Sequence, residues 1–216
     1  MDLGARMRLR GPQHKFVIVG GSTGYNTSDV LWELDTPDDG FFWKCFDEIP
    51  EQIRGQHGHS VCSIDEHSFA IAGGSNSSRC ESVCYMYSVK SKWQKLPNAG
   101  IARCSAGLVC LNKCLYFVGG EGNRKAILKA CEKLDLKIVG QRRRWSKCQD
   151  MLTEMVFPLA AAAGDGIHVV SNTHRNNRVR PGFPLQLQCF DTKTETWVNR
   201  EPLPSRVRDT SGAAVG

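Results

Sequence analysis

The 216-residue sequence predicts an all-β fold, a β-propeller of about four four-stranded blades, and three observations carry that expectation. Apolar stretches closed by a small-residue doublet recur at 16–21 (FVIVGG), 69–74 (FAIAGG), 115–120 (LYFVGG) and, in degenerate form, 167–172 (IHVVSN). Each stretch is followed by a tryptophan, Trp43, Trp93, Trp145 and Trp197, at separations of 50, 52 and 52 residues. No segment sustains a 3.6-residue apolar period, so long helices are not expected.

The elements follow in chain order. Residues 1–14 form a basic lead with no apolar segment behind it. Four units then span approximately 15–56, 57–102, 103–157 and 158–205, and 206–216 begin a further blade with a strand at 211–215. In the second unit the strands are expected at 59–64, 68–74, 82–89 and around Trp93, from apolar runs and alternation bounded by turn residues. A turn follows the tryptophans at Ile49-Pro50, Leu96-Pro97 and Leu203-Pro204, and its third copy is expected at Met151-Leu152, without the proline.

The doublets assign structural roles to Gly20, Gly21, Gly73, Gly74, Gly119 and Gly120, where the backbone turns sharply and a Cβ would clash with the next blade. Trp43, Trp93, Trp145 and Trp197 are expected to fill the gaps between adjacent blades.

Together the Gly-Gly doublet, the Tyr-rich strand after it and the tryptophan before a Leu-Pro turn resemble the kelch repeat, over about residues 15–216. Propellers with 40–45-residue blades and a Gly-His and Trp-Asp signature match neither the period nor the motif. The resemblance implies a kelch-type β-propeller, like the kelch part of BTB-kelch proteins. Because kelch propellers are typically larger than four blades, a partial propeller is expected. The alternative is that three strands at the start and one at the end combine into a closed four-bladed ring. An open form would leave strand edges unpaired.

Hydrophobic residues at 41% and charged residues at 23% exclude disordered and fibrous classes. No apolar run approaches the roughly 20 residues of a membrane helix, so no membrane partner is expected. The 10 cysteines lie largely within apolar stretches in a chain long enough to bury a core, and read as free thiols of a reducing, cytoplasmic protein. A disulfide framework is the alternative. Residues 1–123 hold 12 Lys and Arg against 13 Asp and Glu, and 124–216 hold 16 against 9, so the net +6 belongs to the second half.

Enzyme motifs are absent: no HExxH, phosphate loop, GxSxG elbow or Cys-x-x-Cys knuckle occurs, and the chain reads as a non-enzyme without cofactor or metal. Cys80 with Cys84, and Cys110 with Cys114, are expected too far apart within one strand to chelate. Cys80 beside Arg79 reads as either a reactive thiolate or an inert surface thiol. His57 and His59 are expected as turn residues at a blade entrance, and His168 as a satisfied core or edge residue. Copper-oxidase and sugar-processing propellers exist, but their ligand residues have no recognisable counterpart here.

Loops offer more. Those between second and third strands, and those joining blades, are expected on one face, placing Arg54, Arg79, Arg103, Arg124, Lys125, Arg175, Arg178 and Arg206 on one rim. Arginine forks grip carboxylates at two points, which implies a protein partner with an acidic peptide motif; solvated loop charges that bind nothing are the alternative. In the family the arginine after the Leu-Pro turn recurs, so Arg54, Arg103 and Arg206 are partly structural by resemblance. The QRRRW run at 141–145 reads as a solvated hairpin loop, and a pI near 8.8 argues against nucleic acid. The resemblance further implies substrate recognition for a cullin-type ubiquitin ligase, engaged only through domains outside these residues, or actin binding, the latter as a cytoskeletal scaffold.

Overall fold

Short apolar runs punctuated by turn residues fold into seventeen strands in the computed structural model, which describes residues 16–20, 28–35, 42–76, 79–171 and 186–201. The first blade contains β1 (Phe16–Val19), β2 (Val30–Asp35) and β3 (Phe42–Glu48), and the second β4 (Ser60–Asp65), β5 (Ser68–Ala72), β6 (Cys84–Ser88) and β7 (Lys92–Lys95). In the third are β8 (Arg103–Cys104), β9 (Gly107–Leu111), β10 (Cys114–Val118), β11 (Glu121–Gly122), β12 (Cys131–Asp135) and β13 (Ser146–Lys147). The fourth has β14 (Leu159–Ala163), β15 (Gly166–Ser171), β16 (Gln186–Asp191) and β17 (Thr196–Arg200).

Each blade is an antiparallel meander, β1-β2-β3, β4-β5-β6-β7, β9-β10-β12-β13 and β14-β15-β16-β17, while β8 and β11 pair separately. Among the described residues the propeller is not closed. Residues 211–215, the strand on which closure would depend, lie outside the described residues.

Burial concentrates between blades rather than within them, because a four-stranded sheet has two apolar faces and must cover both. Leu31, Ile53, Ile71 and Tyr85 pack at the first junction, Ala70, Leu108, Leu115 and Phe117 at the second, and Val118, Ile167, Val169 and Phe190 at the third. The tryptophans extend these junctions. Trp93 donates its indole N–H to Glu48 O at 2.7 Å, Trp145 to Pro97 O at 2.8 Å and Trp197 to Gln149 O at 2.9 Å, each acceptor on the preceding blade. Trp43, with no described blade before it, is 45% exposed and meets Phe16 edge to face.

These bonds correct one expectation. The acceptor Gln149 stands where Pro97 stands one blade earlier, and Cys148 N bonds Cys131 O as Leu96 N bonds Cys84 O. The third copy of the Leu-Pro turn is therefore Cys148-Gln149, not Met151-Leu152.

The doublet glycines sit where side chains cannot. A Cβ on Gly73, at φ +67°, would lie 2.3 Å from Arg103 O and 2.8 Å from the Phe117 ring. Gly119, at φ +60°, would meet Met155 O at 2.8 Å. Gly21 and Asn172 lie outside the described residues.

Candidate partner-binding face

Two kinds of loop reach the same face because the backbone pairs them. His57 and Ser75 exchange backbone hydrogen bonds of 3.0 and 2.8 Å, joining the segment entering the second blade to the loop after its second strand. In the third blade the same pairing lengthens into β8 and β11, with Cys104 opposite Glu121 and Arg103 opposite Gly122. Neighbouring loops are then tied together, since Cys80 N donates to Asn123 Oδ1 at 3.0 Å. Asn123 carries no charge and no repeat signature, so the sequence alone does not mark it.

This face carries Arg79, Arg124 and Lys125. The Arg79 side chain is 64% exposed, with Glu81 Oε1 3.9 Å from its Nε. Arg124 and Lys125 are exposed in a tight turn at φ +61° and +57°, left-handed backbone that few non-glycine residues adopt. Arg175, Arg178 and Arg206 lie outside the described residues. Arg54 is engaged locally, donating through Nε to Ile49 O at 3.3 Å and pairing with the Glu48 carboxylate.

Arg103 is not on the rim. Its side chain is fully buried, pairs with the Glu132 carboxylate, and donates to Phe117 O, Gly119 O and Ala130 O at 3.4, 3.3 and 2.9 Å. The guanidinium also stacks 4.7 Å from the Phe117 ring centroid. Glu132 accepts from Gly100 N and Ile101 N at 2.7 and 3.3 Å, so both charges are saturated. This pair knits the turn after β10 to the third strand and to the entry segment, a structural role that leaves no fork for a ligand. Glu132 was missed because one acidic residue within a strand carries no repeat signal.

The repeat varies at this buried position. Gly74 N bonds Arg103 O and Gly120 N bonds Met155 O, which makes Met155 the counterpart of Arg103. Glu132 pairs across the sheet with Phe117, as Gln188 pairs with Val169. Gln188 Oε1 accepts from Leu152 N at 2.9 Å, while its buried Nε2 has no partner among the described residues.

Sulfur chemistry also departs from expectation. Cys80 is neither a surface thiol nor a thiolate: it is buried, its Sγ lies 3.3 Å from Cys104 Sγ and 3.2 Å from Glu121 O, and burial pushes its thiol up to about 12. Cys110 and Cys114 stand on the separate strands β9 and β10, opposite Leu115 and Leu111. All ten cysteines are free thiols. His59 Nε2 lies 3.1 Å from Val19 O, and burial holds its pKa below the ordinary value. His168 Nε2 stands 3.7 Å from Cys189 Sγ. No group of three or more potential metal ligands occurs among the described residues.

A cleft of about 430 Å³ opens between the first and second blades, lined by Val17, Val19, Val61, Phe69, Tyr87 and Lys92 among others. It lies where the described residues supply no innermost strand to the first blade. Val61 on β4 is 42% exposed, whereas Leu108, its counterpart on β9, is 6% exposed beneath its neighbours.

No family model matches the chain. Over 108 residues it is 34% identical to "Kelch repeat and BTB domain-containing protein 2" of cowpox virus (strain GRI-90 / Grishak), covering 49% of this chain and 18% of that protein. The protein of the same description from horsepox virus is 35% identical over 75 residues, 34% of this chain and 14% of its own. The matched region thus spans less than a fifth of the length of these curated relatives. Among solved structures, that titled "Structure of YjhT" superimposes with a TM-score of 0.64 at 15% identity, over 82% of this chain and 60% of that one, a likeness of fold.

Proposed function

We propose that the chain, which is similar to kelch-repeat proteins over about half its length, is a non-catalytic protein-binding propeller whose loop face recognises an acidic peptide segment. The observation that carries this reading is the joined pair of loops that holds Arg79, Arg124 and Lys125 exposed on one face. Arginine offers a planar fork of donors to carboxylates, and loops on a rigid sheet scaffold vary in sequence without disturbing the fold. Arg175, Arg178 and Arg206 belong to the same proposal, on the sequence placement of their loops.

Within that reading the finer role is substrate recognition for a cullin-type ubiquitin ligase in the cytoplasm. It rests on the kelch resemblance and on the printed names of the relatives, which join kelch repeats to a BTB domain. Binding to actin as a cytoskeletal scaffold is the second role the family resemblance supports. No helix among the described residues is long and apolar enough to cross a membrane.

Charge reversal tests the proposal. Arg175→Glu with Arg178→Glu is expected to weaken capture of a Glu-rich peptide without altering the thermal unfolding profile. Equal capture by wild type and variant would remove these two residues from the binding face.

A further inference from the structure

We propose that Cys80 and Cys104 form a reversible disulfide that clasps the loop bearing Arg79 to the strand entering the third blade. Its regulatory consequence rests on the partner-binding reading above.

The two sulfurs already stand 3.3 Å apart, across 24 residues of sequence and between two blades. A disulfide holds them at about 2.05 Å, so bond formation asks for about 1.2 Å of approach. Cys80 precedes the third strand of its blade, and Cys104 is on β8 opposite Glu121. Their roles differ. Cys104 is half-buried, which makes it the sulfur that meets an oxidant from solvent. Cys80 is buried 3.3 Å from it and serves as the resolving thiol.

The oxidant is a small disulfide of the oxidised-glutathione class. Cys104, as thiolate, attacks one oxidant sulfur, forming a mixed disulfide and expelling one thiolate. Cys80 gives its proton to that thiolate and attacks the Cys104 sulfur, forming the protein disulfide and releasing the second thiol after protonation. Two protein thiols are oxidised by two electrons, and one small disulfide is reduced to two thiols.

The bond would fix the segment at 79–82 to β8, which is paired with β11, just before Arg124 and Lys125. The three cations would then stand on one platform, closed covalently between Cys80 and Cys104 and by backbone pairing between β8 and β11, with less motion to arrest on binding. A second neighbouring pair, Cys131 and Cys148, whose backbones are hydrogen-bonded, is buried on both members and has no half-exposed sulfur.

The test titrates the full chain with oxidised and reduced glutathione and maps disulfides by peptide mass. We expect a Cys80–Cys104 cross-link with loss of two mass units, abolished in both Cys104→Ser and Cys80→Ala and retained in Cys131→Ser. Deuterium uptake at 79–82 should fall several-fold on oxidation. A Glu-rich peptide should bind the oxidised form about 3- to 10-fold more tightly. Cys80 and Cys104 remaining free, or bonded to other cysteines, while the chain oxidises would overturn the clasp. Equal peptide affinity of the two forms would overturn its regulatory role. Should neither form bind the peptide, the partner reading falls while a mapped bond stands.

Discussion

The Arg103 guanidinium and the Glu132 carboxylate are paired inside the third blade with almost no solvent contact. Two blade-forming segments meet there, and the hydrogen bonds from Arg103 to three carbonyls close the remaining valences. Breaking such a pair strands a buried charge, so Arg103→Ala should cost about 3–5 kcal/mol of stability. The fourth blade offers an uncharged solution at the same positions, Met155 and Gln188. The double variant Arg103→Met/Glu132→Gln is therefore expected to unfold closer to wild type than either single change. Urea denaturation of the four proteins measures this, and additive losses would contradict it.

Gly73 and Gly140 separate steric clash from backbone strain. Both have positive φ, +67° and +69°, but a Cβ on Gly140 would meet nothing within 4 Å. Gly140→Ala should cost about 1–2 kcal/mol for its left-handed backbone alone. Gly73→Ala adds a backbone clash against Arg103 O and is expected to fold poorly or melt many degrees lower.

Among the tryptophans, junction position decides the outcome. Trp145→Phe removes the donor to Pro97 O and leaves that carbonyl short of a partner, a loss of about 1–3 kcal/mol. Trp43→Phe, at an exposed site, should shift thermal unfolding little.

Lys113 reaches across from the third blade to Asp65 in the second at 2.6 Å. That hydrogen bond, with one from Ser68, lowers the Asp65 carboxyl from 3.8 to about 2. A depressed carboxyl contributes stability above its unfolded pKa and loses it as pH falls through the folded one. The contribution is therefore full above about pH 4 and gone below about pH 2. Both side chains are nearly half exposed, so solvent screening keeps it within about 1 kcal/mol. Asp65→Asn should flatten this part of the acid limb in a plot of stability against pH.

Much of the fold was legible because its signals repeat. Gly-Gly doublets and tryptophans at a fixed period report steric needs at every blade junction, and those needs are local to the residues themselves. The pairing of β8 with β11 was not legible, since two-residue strands carry no alternation. Arg103 misled for a physical reason: the same side chain serves a solvent rim or a buried pair, and only the distant Glu132 decides which. Cys80 misled likewise, because the burial that silences its thiol comes from segments 24 and 41 residues away.

The most direct test of the central claim is fluorescence anisotropy of a labelled Glu-rich peptide against wild type and the triple variant Arg79→Glu/Arg124→Glu/Lys125→Glu. The account predicts saturable binding that weakens with salt and falls at least tenfold in the variant, at unchanged thermal stability. Undiminished binding by the folded variant, or no binding by wild type at low salt, would contradict it.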